Sequence, residues 1–303
     1  MTEHPHPNTT FARAIASLDG LSVGDAFGEL FFAPERSDYF QTGPLPAGPW
    51  PYTDDTEMAL SVVAVLREHG RIDADALAAR FVAHYDRTRG YGPSMHRVLR
   101  SIGEGVPWQE AASGQFEGQG SFGNGAAMRA GPIGAYFADD LDRVVEEAAR
   151  SAQVTHAHPE GVAGAIAVAV AAALAADPDS PAGDDFLDAV ASLLLASDVT
   201  GRIRKARRLS GNASHAFAVS VLGNGTGLSA QDTVPYALWC VAHHLGDFEA
   251  ALWHTVRGLG DRDTTCAIVG SIVACRTGTE GIPAAWRVSR EPLPAWHLNS
   301  AST

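Results

Sequence analysis

The chain has 303 residues, 46% of them apolar, with a formal charge of −13. The apolar share supports a sizeable soluble core, while the excess of carboxylates speaks against affinity for a nucleic-acid backbone, which needs Lys and Arg to displace counterions. Nothing reads as a linker, so one domain is expected over 1–303, with its core at about 9–290. The three cysteines, Cys240, Cys266 and Cys275, have no CxxC and no Cys/His ligand spacing. They read as reduced thiols of a cytoplasmic protein. Residues 1–8 show no basic region followed by an apolar run, so no secretory signal is expected.

In chain order, a first helix is predicted to begin after Asn8 or Thr9. It carries Gly20, Gly24 and Gly28 on one face. Glycines there weaken a helix by up to ~1 kcal/mol each, so close backbone packing or a bend is the compensating gain. Residues 33–50, rich in Pro and Gly, read as a loop. From Asp54 to His69 the apolar Met58, Val62, Val65 and Leu66 recur at helical spacing, with Thr53 or Asp54 as N-cap and Gly70 as stop. Further helices are predicted at 73–85, 92–103, 141–153, 159–176, 184–196, 233–245, 247–256 and 263–275. The uncharged run 161–176 falls short of the ~20 residues of a membrane span and reads as a buried helix. The basic cluster Arg202–Arg208 reads as a solvated helix face. No run alternates apolar and polar residues long enough for a sheet, so the fold class is all-α.

Two oxygen-rich clusters stand far apart in the chain: Thr53, Asp54, Asp55, Thr56 and Asp261, Arg262, Asp263, Thr264. Each opens an apolar helical run, where acids and hydroxyls serve ordinarily as caps. Together they offer four carboxylates and three hydroxyls of the kind that hold hard cations, Mg²⁺ or Mn²⁺. The second cluster is not an EF-hand loop, because Cys266 stands where that loop needs glycine. The stretch Gly123, Asn124, Gly125, Ala126, Ala127, Met128, Arg129 permits close backbone approach to a diphosphate, or forms a plain tight turn. Gly118, Gly120 and Gly123 satisfy GxGxxG, but no strand precedes them, and neither a Walker A motif nor GxSxG occurs. His156 and His158 lack a third soft ligand nearby, so a substrate hydrogen bond or a capping role is favoured over zinc.

Taken in order, Gly24-Asp25-Ala26-Phe27-Gly28, Thr53-Asp54-Asp55-Thr56, Gly123-Asn124-Gly125 through Met128-Arg129, Thr155-His156, Leu222-Gly223-Asn224-Gly225 and Gly260-Asp261-Arg262-Asp263-Thr264 resemble the ADP-ribosylglycohydrolase family. The blocks span Gly20 to about Trp286. The resemblance implies an all-α orthogonal helical bundle with two Mg²⁺ or Mn²⁺ ions in a central cleft. It implies Thr53, Asp54, Asp55, Asp261, Asp263 and Thr264 as metal ligands, with Asp54 and Asp55 also serving the chemistry. Gly123, Asn124, Gly125, Ala126 and Met128 would cradle the diphosphate, His156 would hold the distal ribose or a phosphate, and Asn224 and Gly225 would line the adenosine end. Many members place a functional Glu where Phe32 stands here; Glu29 is preferred as its replacement, with Glu35 as second choice. The implied activity is hydrolysis of an ADP-ribosyl glycosidic bond on a modified protein or small molecule, with N-linked ADP-ribosyl-arginine the first substrate. O-linked ADP-ribosyl-serine, ADP-ribosylated nucleic acid and a non-catalytic ADP-ribose-binding protein are the alternatives. No membrane partner is expected. Arg262, between two ligands, would either repel an arginine leaving group or point to solvent.

Overall fold

The structure, a computed structural model, describes residues 7–33 and 45–298. Its helices run in chain order as α1 (Pro7–Glu29), α2 (Asp54–His69), α3 (Ala74–Ala83), α4 (Pro93–Gly103), α5 (Trp108–Ser113), the short turn α6 (Gln115–Gly118), α7 (Gly131–Tyr136), α8 (Leu141–Gln153) and α9 (Pro159–Ala176). They continue as α10 (Asp184–Ser192), α11 (Asp198–Ala206), α12 (His215–Leu222), α13 (Ala230–His244), α14 (Phe248–Val256), α15 (Arg262–Thr277) and α16 (Ala284–Ser289). Among the described residues there is no β-strand, only isolated bridges between Trp50 and Arg290 and between Gly123 and Ser229. The all-α expectation holds.

Each predicted helix is present. Those at 141–153 and 159–176 match to the residue, and the one predicted at 184–196 ends earlier, at Ser192. Helices α5, α7, α11, α12 and α16 were not foreseen individually. Helix α7 shows why: its Gly-Pro-Ile-Gly start has poor intrinsic propensity, and the helix exists because Gly134 lets its backbone press on α9. A Cβ at Gly134 would stand 1.9 Å from the Ala169 carbonyl oxygen. Of the predicted loop at 33–50, the part that includes Glu35 lies outside the described residues.

Helices α1, α2, α7, α9, α13 and α15 enclose the main core, which Trp239, Tyr236, Phe27 and Phe186 fill. Helix α9 is apolar and long enough at 18 residues to meet a membrane-span criterion, yet 61% of it is buried inside the fold against α7, α8, α13 and α15. It is a core helix. All three cysteines are free.

The contact that builds the site is α1 against α15. A Cβ added at Gly20, Gly24 or Gly28 would lie 2.3, 2.2 and 2.3 Å from the carbonyl oxygens of Gly270, Cys266 and Arg262 respectively. The glycine spacing of four on α1 thus meets a spacing of four on α15 in the reverse direction. The two helices run antiparallel with their backbones touching, the close packing the sequence implied. This approach carries Asp25, beside Gly24, to the first turn of α15.

A buried carboxylate cluster beneath a glycine-lined cleft

At the start of α2, Thr53 caps the helix with its hydroxyl, which accepts the Asp55 N–H at 3.4 Å. Asp25 of α1 lies against that same helix end. Its carboxylate accepts the backbone N–H groups of Thr53 (2.9 Å) and Thr56 (3.1 Å) and the hydroxyls of Thr53 (2.8 Å) and Thr56 (2.5 Å). The α2 dipole and four donors therefore favour a charged Asp25. Burial outweighs them, and Asp263 adds like-charge repulsion, so the Asp25 carboxyl is raised above the ordinary aspartate range.

Helix α15 delivers the second half. Oxygens of Asp25, Asp55 and Asp263 lie within 4.8 Å of one another. The Thr264 hydroxyl donates to Asp55 Oδ2 at 3.4 Å, and Thr53 Oγ1 lies 3.1 Å from the same oxygen. Asp55 Oδ1 and Asp263 Oδ1 are buried with no hydrogen-bond partner among the described residues. Buried acceptors left in that state are costly unless a cation meets them. Burial raises the carboxyls of Asp54 and Asp55 well above the usual range; Asp263 then Asp25 add to it at Asp54, Asp25 then Asp263 at Asp55. The Asp261 carboxyl is likewise raised by burial and by Asp263. Carboxylates crowded in this way, with no ion pair to an arginine or lysine among the described residues, suit a hard divalent ion. The two distant clusters of the sequence thus meet, and Asp25, which sequence reasoning had placed only in a motif, sits at their centre. Its signal was present in the Gly24/Gly28 spacing, which marks the helix face where another backbone comes close.

Above the cluster opens a cleft of about 420 Å³, with Asp54, Asp261, Asp263 and Thr264 on its floor and Gly123, Asn124, Gly125, Met128 and His156 on one wall. Its size falls in the range of small-molecule sites. The turn 122–125 is clasped to the turn 228–230: Asn124 N–H donates to the Leu228 carbonyl (3.2 Å) and Ala230 N–H to that of Phe122 (2.9 Å). Asn124 also ties wall to floor, because its Nδ2 donates to Asp261 Oδ2 at 2.6 Å and to Thr233 Oγ1 at 3.0 Å. Ala126 is buried behind this wall. The opposite wall is the 89–92 loop, held to α2 where Asp54 N–H donates to Arg89 O (2.7 Å) and Glu57 Oε1 accepts from Asp86 N–H and the Tyr91 hydroxyl.

The two histidines divide their roles. His158 Nδ1 accepts the Glu160 N–H at 3.1 Å and caps α9. His156 is buried against the cleft; a Cβ at Gly123 or Gly125 would meet its Nε2 at 3.1 Å. Burial, and then the Arg129 charge, lower His156 to about 3, so its ring is neutral.

Asn224 and Gly225, expected at the adenosine end, face the Asp261 loop. Asn224 Nδ2 donates to Gly258 O (2.8 Å), its carbonyl accepts Asp261 N–H (3.0 Å), and a Cβ at Gly225 would stand 2.4 Å from Asp261 Cβ. The cleft wall nearby is Gly227 and Leu228. Sequence reasoning passed over the aromatic rim. Phe116 and Phe122 are 52% and 39% exposed, with rings stacked 6.2 Å apart at 24°. Phe116 (φ 50°), Glu117 (φ 60°) and Leu228 (φ 51°) all hold left-handed backbone that side chains rarely adopt. Such strain gathers at binding sites.

Glu29 is half-buried at the end of α1, and burial, with Asp263 and Asp25 adding repulsion, raises its carboxyl to about 7. Phe32 carries the guanidinium of Arg262 5.1 Å above its ring, and Arg262 Nη1 donates to the Phe31 carbonyl. Arg262 therefore does not point freely to solvent, and the charge of Asp263 in the cluster acts on it through space. It fastens the start of α15 to the end of α1.

Comparison with known proteins agrees with this architecture. Residues 6–298 match the ADP-ribosylglycohydrolase family. The chain is 33% identical to an uncharacterized protein of Archaeoglobus fulgidus, with 88% of each chain covered. It is 29% identical to the human ADP-ribosylhydrolase ARH3, covering 93% of this chain and 90% of that protein. A solved structure described as an ADP-ribosylglycohydrolase-related protein complex superimposes with a TM-score of 0.65 at 24% identity, over 94% of both chains, which shows the shared fold. With residues 6–298 matched to the family and the carboxylate and Gly123–Met128 blocks gathered at one cleft, the chain belongs to the ADP-ribosylglycohydrolase family.

Proposed function

We propose that the protein is a metal-dependent hydrolase of the glycosidic bond in ADP-ribosylated substrates, releasing ADP-ribose. The observation that carries this reading is the 2.6 Å bond from Asn124 to Asp261, which fastens an anion cradle directly to a carboxylate cluster with unpaired buried oxygens. Asp25, Asp54, Asp55, Asp261 and Asp263, with the Thr53 and Thr264 hydroxyls, would hold two Mg²⁺ or Mn²⁺ ions. Such ions supply charge stabilisation and an oriented water at a breaking ribosyl bond. The glycine wall then holds the diphosphate, and the exposed Phe116 and Phe122 rings offer a stacking surface for the adenine. Glu29, poised near neutrality, accepts or returns a proton as the anomeric bond passes through an oxocarbenium-like state.

For the leaving group, ADP-ribosyl-arginine on a protein or small molecule is the first substrate proposed, in the cytoplasm. Arg262 is no obstacle to it, because its guanidinium is engaged with Phe31 and Phe32. A second reading, ADP-ribose binding without turnover, draws on Phe32, which brings no carboxylate to a position where many relatives carry one. The test is ADP-ribose release from arginine- and serine-modified peptides with Mg²⁺, with Mn²⁺ and with EDTA. Cation-dependent release of ADP-ribose supports hydrolysis and its substrate dependence sets the linkage. AMP as product would indicate diphosphate cleavage, and tight calorimetric binding without product would favour the second reading.

A further inference from the structure

Arg129 is completely buried, yet among the described residues no carboxylate lies within ion-pair distance of it. A buried guanidinium with no carboxylate in contact, Asp54 acting on it only through space, is expensive, so its hydrogen bonds indicate what it is kept for. Nη1 donates to the carbonyl of the cradle residue Gly125 (3.1 Å) and approaches Met58 Sδ (3.4 Å), and the guanidinium lies 4.6 Å over the Phe81 ring. Nη2 donates to Ser151 O (3.0 Å) and to Thr155 Oγ1 (2.9 Å), and that hydroxyl oxygen is 2.7 Å from His156 Nδ1.

Hydrogen-bond accounting gives this chain a direction. A guanidinium only donates, so Thr155 Oγ1 is the acceptor toward Arg129 and its single proton is free to be given to Nδ1. An Nδ1 that accepts places the proton of the neutral ring on Nε2. Nε2 is the atom that faces Gly123 and Gly125 across the cleft wall. We propose that Arg129 is a positioning residue that acts through Thr155 to hold His156 as its Nε2–H tautomer, presenting a fixed N–H donor beside the cradle to an anionic phosphate oxygen. The phosphate assignment rests on the function proposed above; the tautomer does not.

The test is therefore made on both levels. Ring ¹⁵N NMR of the ligand-free protein is expected to show His156 protonated on Nε2, to show that state mixed or reversed in Thr155→Val, and to show it restored in Thr155→Ser. ADP-ribose affinity measured by calorimetry is expected to fall about tenfold in Thr155→Val, one charge-assisted hydrogen bond's worth, and to recover within about twofold in Thr155→Ser. A wild-type ring protonated on Nδ1, or a Thr155→Val protein that keeps the Nε2–H signal, would overturn the proposal. Wild type with the Nε2–H signal but no ADP-ribose binding would refute the ligand and leave the relay standing. Arg129→Met is a secondary variant, read only by NMR on folded protein, and an unchanged ring spectrum there also counts against the relay.

Discussion

Replacing Asp263 by Asn tests the cation site through stability alone. Oxygens of Asp25, Asp55 and Asp263 lie within 4.8 Å of each other. At that separation and an effective dielectric constant of about 20, each charged pair repels by about 3.5 kcal/mol. Protons retained on the raised carboxyls relieve part of this, so removing one partner should stabilise the metal-free protein by about 1–3 kcal/mol at pH 8. For a chain of this size that is a rise of about 2–6 °C in Tm. The same change removes an unpaired acceptor that a cation would use, so the variant should lose the Tm increase that millimolar Mg²⁺ or Mn²⁺ gives wild type, about 2.7 kcal/mol at a hundredfold excess over Kd. The pH dependence follows in sign. Native carboxyls at Asp25, Asp54, Asp55, Asp261 and Glu29 are raised, so the folded state holds protons that the unfolded chain releases near pH 4. Their contribution is fully present below about pH 4 and is lost as pH climbs through the raised values, Glu29's being about 7. Metal-free wild type should therefore lose stability from pH 5 to pH 8, with a weaker trend in Asp263→Asn, by scanning fluorimetry in EDTA. A lower metal-free Tm in the variant, or an unchanged cation-induced shift, would refute the reasoning.

Glu29→Gln is expected to lower kcat for ADP-ribose release by about 10²–10⁴ with ADP-ribose Kd nearly unchanged; near-normal turnover would remove Glu29 from the chemistry. Phe122→Ala should weaken ADP-ribose binding by about 1–3 kcal/mol in calorimetry, whereas free ribose-5-phosphate, which has no base to stack, should bind the variant as it binds wild type. Gly24→Ala places a methyl 2.2 Å from the Cys266 carbonyl and forces α1 off α15. A loss of about 3 kcal/mol in denaturant unfolding, with weaker cation binding, is expected, and a stable variant would mean that the helices can slide apart freely. Arg262→Ala should lower Tm through the lost Phe31 and Phe32 contacts while leaving the arginine-to-serine substrate ratio within about twofold. A large change in that ratio would place the guanidinium in the substrate's field.

Local signals carried the longer helices and half of the site. Thr53 and the acids after it were readable as a helix start because capping is a contact within one turn. The spacing of Gly20, Gly24 and Gly28 announced a backbone contact without naming the partner. Helices α8 and α9 match their expected bounds to the residue, and each begins at a capping side chain, Asp140 and His158, a contact within one turn. Asp25 was a motif residue inside an apolar helix, and nothing around it in sequence indicates that α2's N-terminus and Asp263 converge there. The family resemblance implied Asn224 at the adenosine end, in a Gly-Asn-Gly turn of the kind that can approach a ligand. Yet such a turn can equally brace a neighbour, and which one it does depends on the Asp261 loop packed against it. Phe116 and Phe122 looked like ordinary apolar residues, and only the left-handed backbone at Phe116 and Glu117 keeps the first of those rings in the cleft.

The sequence by itself determined the all-α class, the helix starts that carry the carboxylates, and the family to which those motifs belong, because each rests on residue spacing and on contacts within a turn or two. Tertiary structure alone decided which carboxylates share one buried space, that Arg262 is held against Phe31 and Phe32, and that a neutral His156 faces the cradle. Those outcomes depend on burial and on distances between elements far apart in the chain, and both come into being only when α1 closes against α15.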